Sequence, residues 1–118
     1  MGSIWADRAF DSAAEIYSRH RLGILVPLRD FDARGIFADD AFDFVFLDLF
    51  KGLGFEECRE YVRAWTKKVR PGGFVMGHDY DLRHEAVVRA VHEALPPSTI
   101  LFLGKDSTWW FQKAVHDG

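Results

Sequence analysis

The segment FDFVFLDL, residues 42–49, most restricts the fold that this chain can adopt. Residues 44–47 of it are all apolar, acidic residues flank them, and no glycine or proline interrupts them. A continuous apolar run of this length is typical of a parallel strand that helices cover on both faces, whereas a strand with one face in water alternates. The run therefore predicts an α/β fold with a buried strand near residues 43–48.

The remaining patterns place further elements around this strand. Apolar residues at steps of three and four predict helices near 55–69 and 83–95, and capping-box spacing at Ser12 predicts one near 12–20. Residues 70–73 are expected to turn the chain into a strand near 73–77, and GILVPL at 23–28 predicts an edge strand. Residues 100–104 and 108–113 predict an antiparallel hairpin around a turn at 104–107. This order predicts a mostly parallel sheet that ends in an antiparallel hairpin.

Size and composition limit the class of protein. The 118 residues form a single predicted domain with 48% hydrophobic and 28% charged residues. The net charge of -3 and the absence of a basic stripe argue against nucleic-acid binding. The longest apolar runs have the length of a strand, so no membrane span is expected. The single cysteine, Cys58, excludes an internal disulfide and favours a cytoplasmic location.

The segment RPGGFVMGHDY, residues 70–80, carries the chemistry of the chain. Asp48, His78 and Asp79 are all expected at carboxyl ends of strands, where open α/β sheets bind ligands. Carboxylate oxygens suit Mg²⁺ or another divalent cation, and the histidine favours transition metals. Such a cation would lower the pKa of a substrate hydroxyl, and His78 alone can act as a general base. Local hydrogen bonding at the strand ends is the simpler alternative.

These segments together resemble the C-terminal half of a class I S-adenosylmethionine-dependent methyltransferase, over about residues 12 to 115. The likeness is greatest to small-molecule O-methyltransferases with a His-Asp or Asp-Asp pair after the fifth strand. The resemblance implies a truncated Rossmann-like fold and S-adenosylmethionine as methyl donor. It also implies Asp30 and Asp48 as cofactor contacts and His78 and Asp48 as catalytic residues. Asp48, His78 and Asp79 would then be the ligands of a divalent metal.

Three departures from this family are visible. The glycine-rich loop that wraps the methionine part of the cofactor has no counterpart, and no glycine cluster is expected between a strand and a helix. The acidic residue that holds the ribose is absent. Leu49, Phe50 and Lys51 replace the usual Gly-Asp-His-like stretch. The chain is therefore interpreted as a partial methyltransferase that binds S-adenosylmethionine weakly or not at all.

Two other functions stay open. The first is a non-catalytic methyltransferase-like module that associates with itself or with a partner. The second is a response-regulator receiver, although the acidic pair and the Lys-Pro that a receiver needs are absent. The apolar strand at 43–48 would leave an open edge, which either segment 23–28 or a second copy would cover. A homodimer is the favoured prediction.

Four further side chains receive structural interpretations. Trp109 and Trp110 alternate along a strand, so one should face the core and the other the opposite side. Cys58 lies on the apolar stripe of a helix and should be buried. His84 is expected at the surface in the first turn of the helix at 83–95.

Overall fold

The structure is a computed structural model that describes Glu15 and residues 30–115 apart from 49 and 51. The chain divides into two compact units, Met1–Ala33 and Arg34–Gly118. Glu15 is helical, while the remainder of the helix predicted at 12–20 and the strand predicted at 23–28 lie outside the described residues. The site and the sheet below belong to the second unit.

The described residues within 30–115 form three helices and four strands. Predicted elements near 43–48, 55–69, 83–95 and 108–113 are confirmed to within two residues at each end. No helix in the described part of the chain is long and apolar enough to cross a membrane. The elements are α1 (Asp30–Ile36), β1 (Phe42–Leu47), α2 (Phe55–Lys68), β2 (Val69–Gly77), α3 (Glu85–Ala94), β3 (Phe102–Leu103) and β4 (Trp109–Gln112).

The four strands form one mixed sheet in the order β1-β2-β4-β3. β1 and β2 are parallel, whereas β2 with β4 and β4 with β3 are antiparallel. The prediction of a mostly parallel, truncated Rossmann-like sheet is therefore wrong for the described residues. The physical reason is that the C-terminal hairpin supplies half of the strands and pairs directly with β2. The domain is a small mixed α/β sheet.

Residues 70–73 were predicted to form a turn, and this prediction is also wrong. β2 begins at Val69, directly after α2, and runs through these residues. Phe42 of β1 pairs with Val69 of β2, and Phe44 pairs with Phe74. Two residues along β1 therefore face five along β2, so β2 contains a bulge between Val69 and Phe74. Gly72 has a φ of +82°, and a Cβ on Gly73 would lie 2.5 Å from the Asp43 carbonyl oxygen. The glycines therefore make a bulge inside a strand.

The hydrophobic core lies between one face of the sheet and two helices. Val75, Trp109 and Phe111 project from β2 and β4 and are buried. α2 packs on β1 and β2, and α3 packs on α2. Arg59 of α2 and Glu93 of α3 form an ion pair of 3.1 Å at the surface of the helix pair. Of the two tryptophans, Trp109 is the one that faces the core, and Cys58 is buried as predicted. Burial raises the pKa of the Cys58 thiol.

The opposite face of the sheet is largely exposed. Phe44 and Phe46 of β1 lie on it, together with Phe74 of β2 and Phe102 of β3. Among the described elements, no helix covers this face of β1, so the expectation of helices on both faces is wrong for the described residues. A continuous apolar run indicated burial on both sides, but only the face that carries Val45 and Leu47 packs against the core.

Candidate cation and proton-transfer site

The parallel pairing of β1 and β2 builds the candidate site. Leu47 is the register partner of Gly77, so the next residues, Asp48 and His78, emerge side by side. The His78 backbone N–H continues the ladder by donating to the Leu47 carbonyl at 3.2 Å. Asp79 adopts a φ of +63°, a left-handed conformation that aspartate tolerates, and the chain turns there. One ligating atom from each of Asp48, His78 and Asp79 lies within 4.8 Å of the others.

The His78 ring makes polar contacts through both nitrogens. Nδ1 lies 3.0 Å from Oδ1 of Asp79 and 3.8 Å from Oδ1 of Asp48. Nε2 lies 2.9 Å from the backbone carbonyl oxygen of Asp106 in the β3–β4 turn. A carbonyl oxygen can only accept, so this contact requires a proton on Nε2. Nδ1 is therefore the nitrogen that faces the two carboxylates, either protonated or as a lone pair.

The surroundings of His78 favour its charged form. Partial desolvation lowers the pKa of His78, but the bond to the Asp106 carbonyl and the charges of Asp79 and Asp48 outweigh it. The pKa of His78 consequently lies above the usual value for histidine.

The same arrangement fits a divalent cation. Two carboxylates and one imidazole nitrogen converge, and the other imidazole nitrogen donates to a backbone carbonyl, as metal-binding histidines usually do. Asp48 is 63% exposed at its side chain, which leaves room for water ligands. Mixed oxygen and nitrogen donors suit Mn²⁺, Fe²⁺ or Zn²⁺ better than Mg²⁺, which prefers oxygen alone.

Trp109 and Gly77 hold His78 in place. The Trp109 Nε1–H donates to the His78 carbonyl oxygen at 3.2 Å. The buried indole passes directly over Gly77, where a Cβ would lie 2.5 Å from Cε2 and 2.7 Å from Nε1. Only glycine therefore fits at position 77. Sequence reasoning missed both roles, since they depend on the pairing of β2 with β4.

A second set of hydrogen bonds ties the loop after β2 to the β3–β4 turn. Ser107 donates its hydroxyl to Oδ2 of Asp81 at 3.1 Å, and its carbonyl accepts from the Tyr80 N–H at 3.0 Å. Asp81 also accepts from His84 Nδ1 at 2.7 Å and from the Arg83 N–H at 2.9 Å. This network holds the turn whose Asp106 carbonyl contacts His78.

The same network fixes the start of α3, whose N-cap residue is His84. His84 was expected at the surface, and its side chain is 37% exposed while it bonds to Asp81. Its role is to join the loop to the helix start.

The other predicted site residues lie elsewhere. Asp30 is the first residue of α1 and belongs to the unit Met1–Ala33, so its suggested contact with a cofactor stays a prediction. Phe50, which departs from the family pattern, is buried in the core. Leu49 and Lys51 lie outside the described residues.

The expectation that no glycine cluster lies between a strand and a helix was wrong for the segment between β1 and α2. Gly52, with a φ of +78°, and Gly54, the N-cap of α2, do lie between a strand and a helix. The Gly54 N–H lies 3.4 Å from the Glu57 carboxylate, and Glu56 adds a second negative charge in the first turn. These acids compensate the positive end of the helix dipole, so this loop is a poor receptor for an anionic ligand.

Comparisons with known proteins show the fold alone. No protein-family profile and no curated protein matches the sequence. A solved protein of Corynebacterium glutamicum is similar over 89% of this chain, with a TM-score of 0.67 and 14% identity. A possible exported protein from Bordetella parapertussis is similar over 91% of this chain, with a TM-score of 0.57 and 14% identity.

This chain accounts for about half of each of those structures. The matched part is 56% of the Corynebacterium protein and 50% of the Bordetella protein. A structural match at this low sequence identity indicates a similar arrangement of helices and strands and gives no information on function.

Proposed function

We propose that Asp48, His78 and Asp79 form a divalent-cation site that takes a proton from the hydroxyl of a small molecule. The convergence of three ligating atoms within 4.8 Å of one another, at the ends of two parallel strands, is the observation that carries the proposal. By the resemblance in sequence, the site would serve the acceptor side of a methyl transfer, while this chain by itself is expected to bind the donor S-adenosylmethionine weakly or not at all.

The roles of the side chains follow from their geometry. Asp48 and Asp79 would hold the cation together with Nδ1 of His78, and the Asp106 carbonyl would keep the proton on Nε2. When bound, the cation lowers the pKa of a coordinated hydroxyl. Asp48, the most exposed of the three, is the carboxylate best placed to accept the proton that the hydroxyl loses. Without a cation, the aspartates and His78 would have to accept the proton of the hydroxyl by themselves.

The described residues do not fit S-adenosylmethionine. The only glycine pair that they place between a strand and a helix is followed by Glu56 and Glu57, which repel the cofactor carboxylate. No step involving the methyl donor is therefore assigned to them. We expect calorimetry to find weak or no binding of S-adenosylmethionine to this chain, and micromolar affinity would refute that expectation.

Thermal unfolding with and without millimolar Mn²⁺ tests the cation site. A cation that binds only the folded chain must raise Tm. We expect a rise for the wild type and for Glu60→Gln, which removes an exposed carboxylate of α2 outside the site. Asp48→Asn and Asp79→Asn should each remove most of the rise. A wild type whose Tm does not respond to Mn²⁺, Zn²⁺ or Mg²⁺ would refute cation binding.

The second candidate function is a non-catalytic module that acts by association. The exposed aromatic face of the sheet is the observation that favours it. The two functions separate in one comparison, since Asp48→Asn removes a cation site and leaves that face unchanged.

A further inference from the structure

The sheet carries a continuous apolar face on the side away from the helices. Phe44, Phe74 and Gln112 are register partners across three strands. The next row runs across all four strands of the sheet. It consists of Phe46, Met76, Trp110 and Phe102. Directly paired residues point to the same face of a sheet, so these seven side chains form one surface, here called the aromatic face.

This surface is large for an uncovered part of a protein. Phe44, Phe46, Phe74 and Phe102 are 60%, 51%, 41% and 47% exposed. An aromatic side chain offers about 150–250 Å² in full, so these four alone leave on the order of 400 Å² open. Contiguous apolar patches of this size on soluble proteins commonly mark sites of interaction.

We propose that the aromatic face pairs with the aromatic face of a second copy of this chain around a two-fold axis. Two copies would bury about 800 Å² from the four phenylalanines alone, and a stable interface needs roughly 1,200–2,000 Å² in total. Met76, Trp110 and the surrounding polar residues contribute further area. Sheets pack face to face about 10 Å apart with aligned strands, a geometry that a two-fold axis permits.

The chemistry of the face favours an identical partner. Gln112 is its only polar member, and none of its residues is charged, so it offers no charge pattern that would select a different protein. Asp48 and His78 continue the strands of Phe46 and Met76 beyond their ends, which gives the apolar centre a polar rim. An apolar centre with a polar rim is the usual arrangement of a protein–protein interface.

The test measures molar mass by light scattering for four chains. Phe46→Glu changes β1 and Phe102→Glu changes β3, at opposite ends of the aromatic face. Leu82→Glu is the matched control, because Leu82 is fully exposed in the loop after β2. The wild type and Leu82→Glu should have twice the 13.5 kDa of one chain. Both phenylalanine variants should fall to the mass of one chain while keeping the wild-type circular dichroism spectrum.

Two results would overturn the proposal. A wild type that stays monomeric at the highest concentration reached has no such interface. A dimer that Phe46→Glu breaks and Phe102→Glu preserves is joined through the edge of β1 instead. If Phe102→Glu loses the folded spectrum, Gln112→Glu replaces it, because it adds the charge at an exposed polar position. A dimer that persists in both Phe46→Glu and Gln112→Glu also overturns the proposal.

Discussion

Replacing Gly77 by alanine should destabilise the fold, because the new methyl group would enter space that a buried indole occupies. The new Cβ would lie 2.5 Å from Cε2 and 2.7 Å from Nε1 of Trp109, far inside van der Waals contact. Trp109 is completely buried and stacks on Phe111, so the indole cannot rotate into free space. The backbone of β2 or the indole must therefore move.

The magnitude follows from two contributions. Overpacking a core by a methyl group typically costs about 1–3 kcal/mol. Moving the indole also breaks the hydrogen bond from Nε1 to the His78 carbonyl, worth about 0.5–1.5 kcal/mol. We therefore expect Gly77→Ala to lower the free energy of unfolding by about 2–4 kcal/mol. In a domain of this size Tm should fall by roughly 10 °C or more.

Urea unfolding followed by circular dichroism measures this loss. Gly35→Ala is the matched control, because its Cβ meets nothing within 4 Å and alanine favours the helix. Trp109→Phe removes Nε1 and part of the indole, so Gly77→Ala should cost less in that background. An unfolding free energy of Gly77→Ala within about 0.5 kcal/mol of the wild type would refute the close approach of Gly77 and Trp109.

Two further predictions follow from single side chains. Lys113→Met should lower the free energy of unfolding by about 1–3 kcal/mol, measured by urea titration, because Nζ donates to the carbonyls of Thr66 and Val69 at the end of α2 at 2.9 Å and 2.6 Å. An unchanged midpoint would contradict this cap. The hydrogen bond from His84 keeps the pKa of Asp81 below its usual value, although desolvation acts in the opposite direction. Asp81 therefore stabilises the fold at pH values above the ordinary aspartate range. This stabilisation is lost as the pH falls through the pKa of Asp81 in the folded state. The gap in Tm between wild type and Asp81→Asn should therefore close in acid, and a gap that is constant with pH would contradict the assignment.

The sequence predicted the position of most elements because their patterns are local. The stripe on α2, the apolar run of β1 and the turn of the hairpin each lie within a short stretch of chain. Which strands pair with each other could not be predicted from local patterns. Whether β2 pairs with a parallel strand or with β4 depends on competition between segments distant in sequence, so the mostly parallel sheet was expected in error.

The burial of β1 was misjudged for a related reason. A continuous apolar run shows that a strand can be covered on both faces, and it does not show that both faces are covered by this chain. Phe44 and Phe46 are exposed, while Val45 and Leu47 face the core. The same pattern suits an interface between two copies.

The candidate site was predictable in part. Parallel strands end at the same edge, so the approach of Asp48 to His78 and Asp79 followed from the fold class alone. The supports of His78 did not follow. The Asp106 carbonyl and the Trp109 indole reach it from the hairpin, through a contact between residues about thirty positions apart, for which no local pattern exists.

In the proposed cation site, Nδ1 of His78 binds a cation between two aspartates while Nε2 stays protonated on the Asp106 carbonyl. Nitrogen-15 NMR of the histidine rings during a Zn²⁺ titration tests it most directly. We expect the Nδ1 resonance of His78 to move to the position of a metal-bound nitrogen, Nε2 to keep its proton, and His84 and His92 to stay unchanged. The shift should disappear in Asp79→Asn. A spectrum in which Zn²⁺ leaves Nδ1 of His78 unaltered, or binds Nε2 instead, would contradict the account.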